Sequence, residues 1–177
     1  SLMGRRLGVI GMGHIGRKMA DLCAALGMEV AYYARHRRPD APYSWLPLDE
    51  LLAGCDVLTL HCPLTEETRG LIGARELALM KPEAVLINTA RGAVVDHDAL
   101  IAALKAGRLA GAGLDVFPQE PHVPQELLEL PNVVLMPHYG TNTVEARIAM
   151  VEACCERILA ALEGKRPPNV VNPEIYR

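Results

Sequence analysis

Charge of one sign, long apolar runs and paired cysteines are what this sequence lacks. Its formal net charge is −3 over 177 residues, too small and too evenly spread for the basic field that holds nucleic acid or an anionic membrane. Every apolar run is broken by charge short of a membrane span, and the N-terminus lacks the basic, apolar and small-residue order of a secretory signal. The five cysteines, Cys23, Cys55, Cys62, Cys154 and Cys155, are odd in number and lack the paired spacing of a zinc site. No metal site is therefore expected. The cysteines read as reduced, mostly buried thiols of a cytoplasmic protein, with Cys154 and Cys155 assigned to helix packing. Internal repeats and low-complexity segments are also missing. What remains is a chain that is 50% hydrophobic, with the length of one ordinary domain.

Short apolar runs alternate with longer stretches of helical period. The segments 7–10, 29–34, 56–62, 84–90, 111–117 and 133–138 are rich in Val, Ile and Leu and end in Gly, Pro or polar residues. They read as strands apolar on both faces. Between them, 17–27, 48–54, 74–81 and 96–108 repeat Leu, Ala, Met and Ile at three- and four-residue spacing, which predicts helices. Strand and helix in turn imply right-handed crossovers and a doubly wound parallel α/β sheet, whose ligands sit outside the carboxyl ends of the strands. The tail, 141–164, is a longer helix with Asn142 and Glu145 spaced as a capping box and Gly164 and Pro167 closing it. The expected organisation is a dinucleotide-binding domain over 1–140 and a helical tail over 141–177.

The first strand runs into GMGHIG, with Gly11, Gly13 and Gly16 standing before a helix. Gly11 suits a tight turn, Gly13 close approach to a pyrophosphate, and Gly16 close packing of helix on strand, with the helix N-terminus facing the phosphates. A domain that binds NAD carries an acidic residue at the end of the second strand to hold the ribose 2′-hydroxyl. Ala34 stands there instead, followed by Arg35, His36, Arg37 and Arg38. A guanidinium at Arg35 suits a 2′-phosphate, which predicts NADP, with NADPH preferred over NADH. The alternative is a solvated basic loop.

Three later strand ends carry polar groups that packing alone does not require: Arg91 in NTARG, Asp115 and Glu120 in GLDVFPQEP, and His138 in MPHYG. Taken singly, each is ordinary surface chemistry. The strand-end rule puts them on one edge with the glycine loop. There an arginine can hold a carboxylate and polarise a carbonyl, a histidine can pass a proton, and a carboxylate can fix the histidine's tautomer.

The ordered run of GVIGMGHIG, HCPLTEETRGLI, NTARGAVVDHDAL, AGAGLDVFPQEP and NVVLMPHYG resembles the cofactor domain of the D-isomer-specific 2-hydroxyacid dehydrogenases. The resemblance implies a Rossmann-type NAD(P)-binding fold and assigns Arg91 to the substrate carboxylate and oxo group, His138 to acid/base work and Glu120 to supporting it. It sets His14 and Ile15 along the pyrophosphate, Cys62 and Pro63 by the adenosine, and Thr89, Ala90 and Asp115 near the nicotinamide, with Thr68 and Gly140 as further cofactor positions. Ala34 and Arg35 resemble the NADP-using glyoxylate and hydroxypyruvate reductases of that family, whereas Tyr139 and Thr141 depart from the family's smaller neighbours of the histidine.

The family builds its substrate domain mainly from residues before the glycine loop, and only ten precede Gly11 here, so the substrate domain is expected to be missing. The expected function is the cofactor half of a reductase acting on small 2-oxo or 2-hydroxy acids. A truncated module that binds NADP(H) or mediates assembly without catalysis is the alternative. Because the tail helix would have no sheet left to cover, a homodimer is expected, and light scattering should find twice the chain mass at micromolar concentration.

Overall fold

The computed structural model describes residues 1–176. Two compact units divide the chain, one from Ser1 to His138 and one from Tyr139 onward.

In the first unit the elements follow as β1 (Arg6–Ile10), α1 (His14–Ala25), β2 (Glu29–Tyr33), β3 (Ser44–Trp45), α2 (Leu48–Gly54), β4 (Val57–Leu60), α3 (Ala74–Leu79), β5 (Val85–Asn88), α4 (His97–Lys105), β6 (Gly111–Leu114), α5 (Gln125–Leu128) and β7 (Val133–Leu135). All strand pairs are parallel, in the order β3-β2-β1-β4-β5-β6-β7. The chain therefore builds outward from β1 in one direction and from β4 in the other. The crevice where the order reverses lies between the carboxyl ends of β1 and β4.

Alternation along the strands explains why both faces had to be apolar. Leu7 and Val9 of β1 join Ala20, Met28 and Tyr32 in one core, whereas Ile10 joins Leu51, Leu58 and Leu86 in the other. Successive side chains of a strand point to opposite faces, so one strand feeds two hydrophobic layers. Each buried Leu or Ile contributes roughly 1.5–3 kcal/mol.

The structure adds elements that the sequence pattern does not show. β3 has two residues and α5 has four, too short for periodicity to register. α1 begins at His14 rather than Arg17, and, β1 apart, the strands stop earlier than their apolar runs. The second unit holds α6 (Val144–Leu162), capped not by Asn142 but by Thr143, whose hydroxyl accepts from the Ala146 amide at 3.1 Å. Two adjacent cap-competent residues compete here, and the one whose oxygen reaches the free amide wins. No residue of α6 is buried, and Cys154 and Cys155 are exposed, so they do not pack within the described chain and the cysteines are not mostly buried. Cys55 and Cys62 are buried, and desolvation pushes the Cys55 thiol up to about 11. No helix among the described residues is long and apolar enough to cross a membrane.

At the edge opposite the crevice, Asp56 ties three segments. Its carboxylate accepts from the Arg6 amide and from the Lys81 ammonium, each at 2.8 Å. Those two bonds, Lys81 first, hold its carboxyl below the ordinary range. A depressed carboxyl stabilises the fold above the unfolded pKa and loses that contribution as pH falls through the folded value. Asp56→Asn is therefore expected to cost about 1–2 kcal/mol at pH 7. In urea titrations the gap between variant and parent should close as pH drops below about 4.

Candidate functional site

The glycine loop opens directly on the crevice. Gly11 has φ of +94°, and a Cβ there would lie 2.6 Å from the Cys62 amide nitrogen and the His61 carbonyl carbon. Only glycine allows this approach of the β1 and β4 ends. A Cβ on Gly16 would lie 2.0 Å from the Gly11 carbonyl oxygen, so α1 is seated against the loop itself. Gly13 differs: a Cβ on it would meet no protein atom within 4 Å. The fold's own packing does not require that glycine, whereas a group approaching the backbone from the crevice would.

Gly13 also caps α1, and no side chain satisfies the first amides of this helix, nor does its first turn hold an acidic residue. An unsatisfied N-terminus with its partial positive charge suits an external anion. The crevice extends from here into a cleft of about 370 Å³ lined by Gly11, Gly13, Arg35, Cys62, Pro63 and Thr68 together with Tyr33, His36, Arg38, His61 and Glu67. Arg37 is not among the lining residues, so the structure separates the basic run into members that face the cleft and one that does not. His14 and Ile15 form the exposed start of α1.

Within the cleft the polar groups are arranged locally. The Thr68 hydroxyl donates to the Pro63 carbonyl at 2.6 Å and accepts from the Thr65 amide at 2.8 Å, which closes the turn after β4. His61 shares a 3.0 Å hydrogen bond with buried Thr59, and burial pushes its pKa down. Glu67 is held below the ordinary carboxylate range, chiefly by Thr65, with a contribution from the Arg35 charge. Arg35, His36 and Arg38 outnumber this one carboxylate. Such a wall suits an anion.

Further along the same edge stand the ends of β5, β6 and β7. Asn88, fully buried at the end of β5, donates to the Arg91 carbonyl at 3.0 Å and accepts from the Ala90 amide at 3.0 Å. It folds the turn that leaves Thr89 and Arg91 exposed and Ala90 buried. Arg91 spends one N–H on the Ala90 carbonyl. A Cβ on Gly92 would lie 2.1 Å from the Phe117 carbonyl carbon, so this turn and the loop after β6 are pressed together.

That second loop carries Glu120, which accepts from the Phe117 amide at 3.0 Å with one carboxylate oxygen and meets His138 Nδ1 at 2.8 Å with the other. His138 and the Phe117 amide, in that order, lower the Glu120 pKa, and Arg91 adds its charge. His138 is fixed by its own amide, which donates to the Asp115 carbonyl at 2.9 Å, while the Asp115 amide donates to the Asn88 carbonyl at 3.0 Å. Arg91, Asp115, Glu120 and His138 thus belong to one hydrogen-bonded set of loops. Gly140 lies in the second unit. Asn88 and Tyr33 were missed in the sequence. A polar residue closing an otherwise apolar strand is the signal that would have found Asn88.

The profile of the family described as D-isomer specific 2-hydroxyacid dehydrogenase, NAD binding domain, matches residues 1–140. A glyoxylate reductase of Thermococcus litoralis is 48% identical over 178 residues, covering 98% of this chain and 54% of that protein. Among solved structures, the TT0316 protein of Thermus thermophilus superposes with a TM-score of 0.92 at 49% identity, over 96% of this chain and 54% of its own. An NADPH-dependent glyoxylate/hydroxypyruvate reductase of Sinorhizobium meliloti, solved with NADP and malonate, gives a TM-score of 0.87 at 40% identity, over 90% of this chain and 50% of its own. The chain spans about half the length of the curated relatives it matches.

Removing the Asn88 side chain should open the turn that presents Arg91. Asn88→Ala leaves the buried Ala90 amide without its partner and the Arg91 carbonyl with the Val94 amide alone, and is expected to cost about 2 kcal/mol, read from the urea midpoint.

Proposed function

Because this chain belongs to the D-isomer-specific 2-hydroxyacid dehydrogenases, which it matches through their NAD-binding domain, we propose that it is the cofactor-binding half of a reductase of small 2-oxo acids, of the glyoxylate or hydroxypyruvate kind, preferring NADPH to NADH. The observation that carries this reading is the 2.8 Å pair of His138 and Glu120 on the sheet edge where the glycine loop opens.

The residues divide the chemistry between them. Gly11, Gly13 and the first amides of α1 receive the pyrophosphate, with Gly16 seating the helix and His14 and Ile15 alongside. Cys62, Pro63 and Thr68 wall the adenosine side, and Arg35 takes the 2′-phosphate. Thr89, Ala90 and Asp115 flank the nicotinamide, which when bound supplies the hydride. Arg91 retains N–H donors beyond the one given to Ala90, and these hold the substrate carboxylate and polarise its carbonyl. His138 keeps Nδ1 on Glu120, so Nε2 delivers the proton to the carbonyl oxygen.

NADPH preference is supported by the absence of an acidic residue at Ala34 and by Arg35, His36 and Arg38 on the cleft wall. The names of the Thermococcus and Sinorhizobium relatives support the substrate class. We also place the protein in the cytoplasm as a homodimer, a second copy covering exposed apolar residues of α6 such as Val144, Val151 and Leu162.

Equilibrium titration with NADPH and NADH tests the cofactor assignment. The parent should bind NADPH tighter, and Arg35→Ala should lose about tenfold or more for NADPH alone. Equal affinity for the two would end the NADPH assignment. In a form that turns over glyoxylate, His138→Ala should lower kcat about 10²- to 10⁴-fold while NADPH affinity holds.

A further inference from the structure

We infer that Tyr32 and Trp45 are positioning residues for cofactor selection: they hold the segment after β2 in the shape that presents Arg35, His36 and Arg38 to a 2′-phosphate. The inference rests on the NADPH reading above and names what makes that wall rigid.

Tyr32 is wholly buried on the α1 side of the sheet, among Leu7, Val9 and Met28. Its phenol oxygen leaves this apolar layer at the backbone of Arg38. There it accepts from the Arg38 amide at 2.8 Å and donates to the Arg38 carbonyl at 3.2 Å. One hydroxyl thus satisfies both backbone groups of a single residue six positions on.

Trp45 is the ladder partner of Tyr32 across β2 and β3, and its indole N–H donates to the Ala34 carbonyl at 3.0 Å. The two aromatic residues therefore grip the segment at its first and fifth residues, from adjacent strands in fixed register. Arg17 adds a third hold, donating to the Asp40 carbonyl at 3.0 Å. Between the grips stand Arg35 and His36, both on the cleft wall.

Such a frame matters because a guanidinium recognises phosphate through directed, paired hydrogen bonds, and a loop ordered beforehand loses less entropy when the anion arrives. A free basic loop would attract 2′-phosphate only as diffuse charge. The two-residue β3 also acquires a purpose, since without it Trp45 has no register from which to reach Ala34.

The test compares 2′,5′-ADP with 5′-AMP, which differ at the 2′-phosphate and need only the adenosine side of the cleft. Calorimetric titration is run on the parent, Arg35→Ala, Tyr32→Phe and Trp45→Phe, with thermal unfolding to show that each is folded at the temperature used. The parent should prefer 2′,5′-ADP by about tenfold or more, and Arg35→Ala should remove most of that preference. Tyr32→Phe and Trp45→Phe should each cut the preference about three- to tenfold while 5′-AMP affinity stays within about twofold. A merely destabilised protein would lose both ligands together, so the ratio is the deciding readout. If Arg35→Ala loses the preference but both aromatic variants keep it, the positioning role is wrong and the NADPH reading stands. If the parent shows no preference, the NADPH reading fails and takes this inference with it.

Discussion

The close approach at Gly11 is the constraint on which the rest of the first unit depends. The Gly11 amide donates to the Tyr33 carbonyl and the His61 amide donates to the Ile10 carbonyl, so β1 is held to β2 and β4 up to its last residue. Beyond that point the chain must turn between two strands whose connections leave in opposite directions. The positive φ at Gly11 makes the turn, and the lack of a side chain lets it pass the 61–62 backbone, which a Cβ would approach to 2.6 Å. Gly16 then seats α1 against the turn, which directs the free amides of the helix into the crevice. A bulkier residue at either position would shift the helix and with it the uncommitted amides that it brings to this edge.

A second close approach, Gly92 against the loop after β6, does for the polar end what Gly11 does for the phosphate end. It forces the Arg91 turn and the Glu120 loop into contact, so charges from three strand ends act on one another. The electrostatics follow from that proximity. Glu120 keeps its negative charge because His138, the Phe117 amide and Arg91 all favour the ionised form, and this outweighs the smaller cost of desolvation. Acidification through the depressed Glu120 value would discharge this carboxylate.

How much of this could be read from residues alone depended on whether a feature carried its own spacing. The six main strands were legible because they are apolar on both faces, and the strand-end rule then gathered Arg91, Asp115, Glu120 and His138 without coordinates. β3 and α5 were not, since two and four residues have no period. Asn142 and Thr143 are equally good caps by composition, and only the reach of one oxygen separated them. The roles of Asn88 and Tyr32 are tertiary: each is a side chain satisfying the backbone of a loop. Asn88 at least closes an otherwise apolar strand, whereas nothing in the spacing of VAYYARHRR announces which polar atom turns inward. Exposure of Cys154 and Cys155 likewise follows from a helix that buries none of its residues, although its composition suggests packing.

His138 shows how these constraints converge on one side chain. Its φ of +56° is a left-handed conformation that non-glycine residues seldom occupy, at a cost of roughly 1–2 kcal/mol. The conformation persists because the residue is held at two points, by its amide on the Asp115 carbonyl and by Nδ1 on Glu120. Neither hold comes from hydrophobic packing, for the side chain is half exposed. A half-exposed histidine held in a disfavoured backbone state by polar contacts alone gains nothing for the core. Fixed at two points, its ring keeps one orientation with Nδ1 committed to Glu120, and that is what the proton donor proposed for this strand end requires.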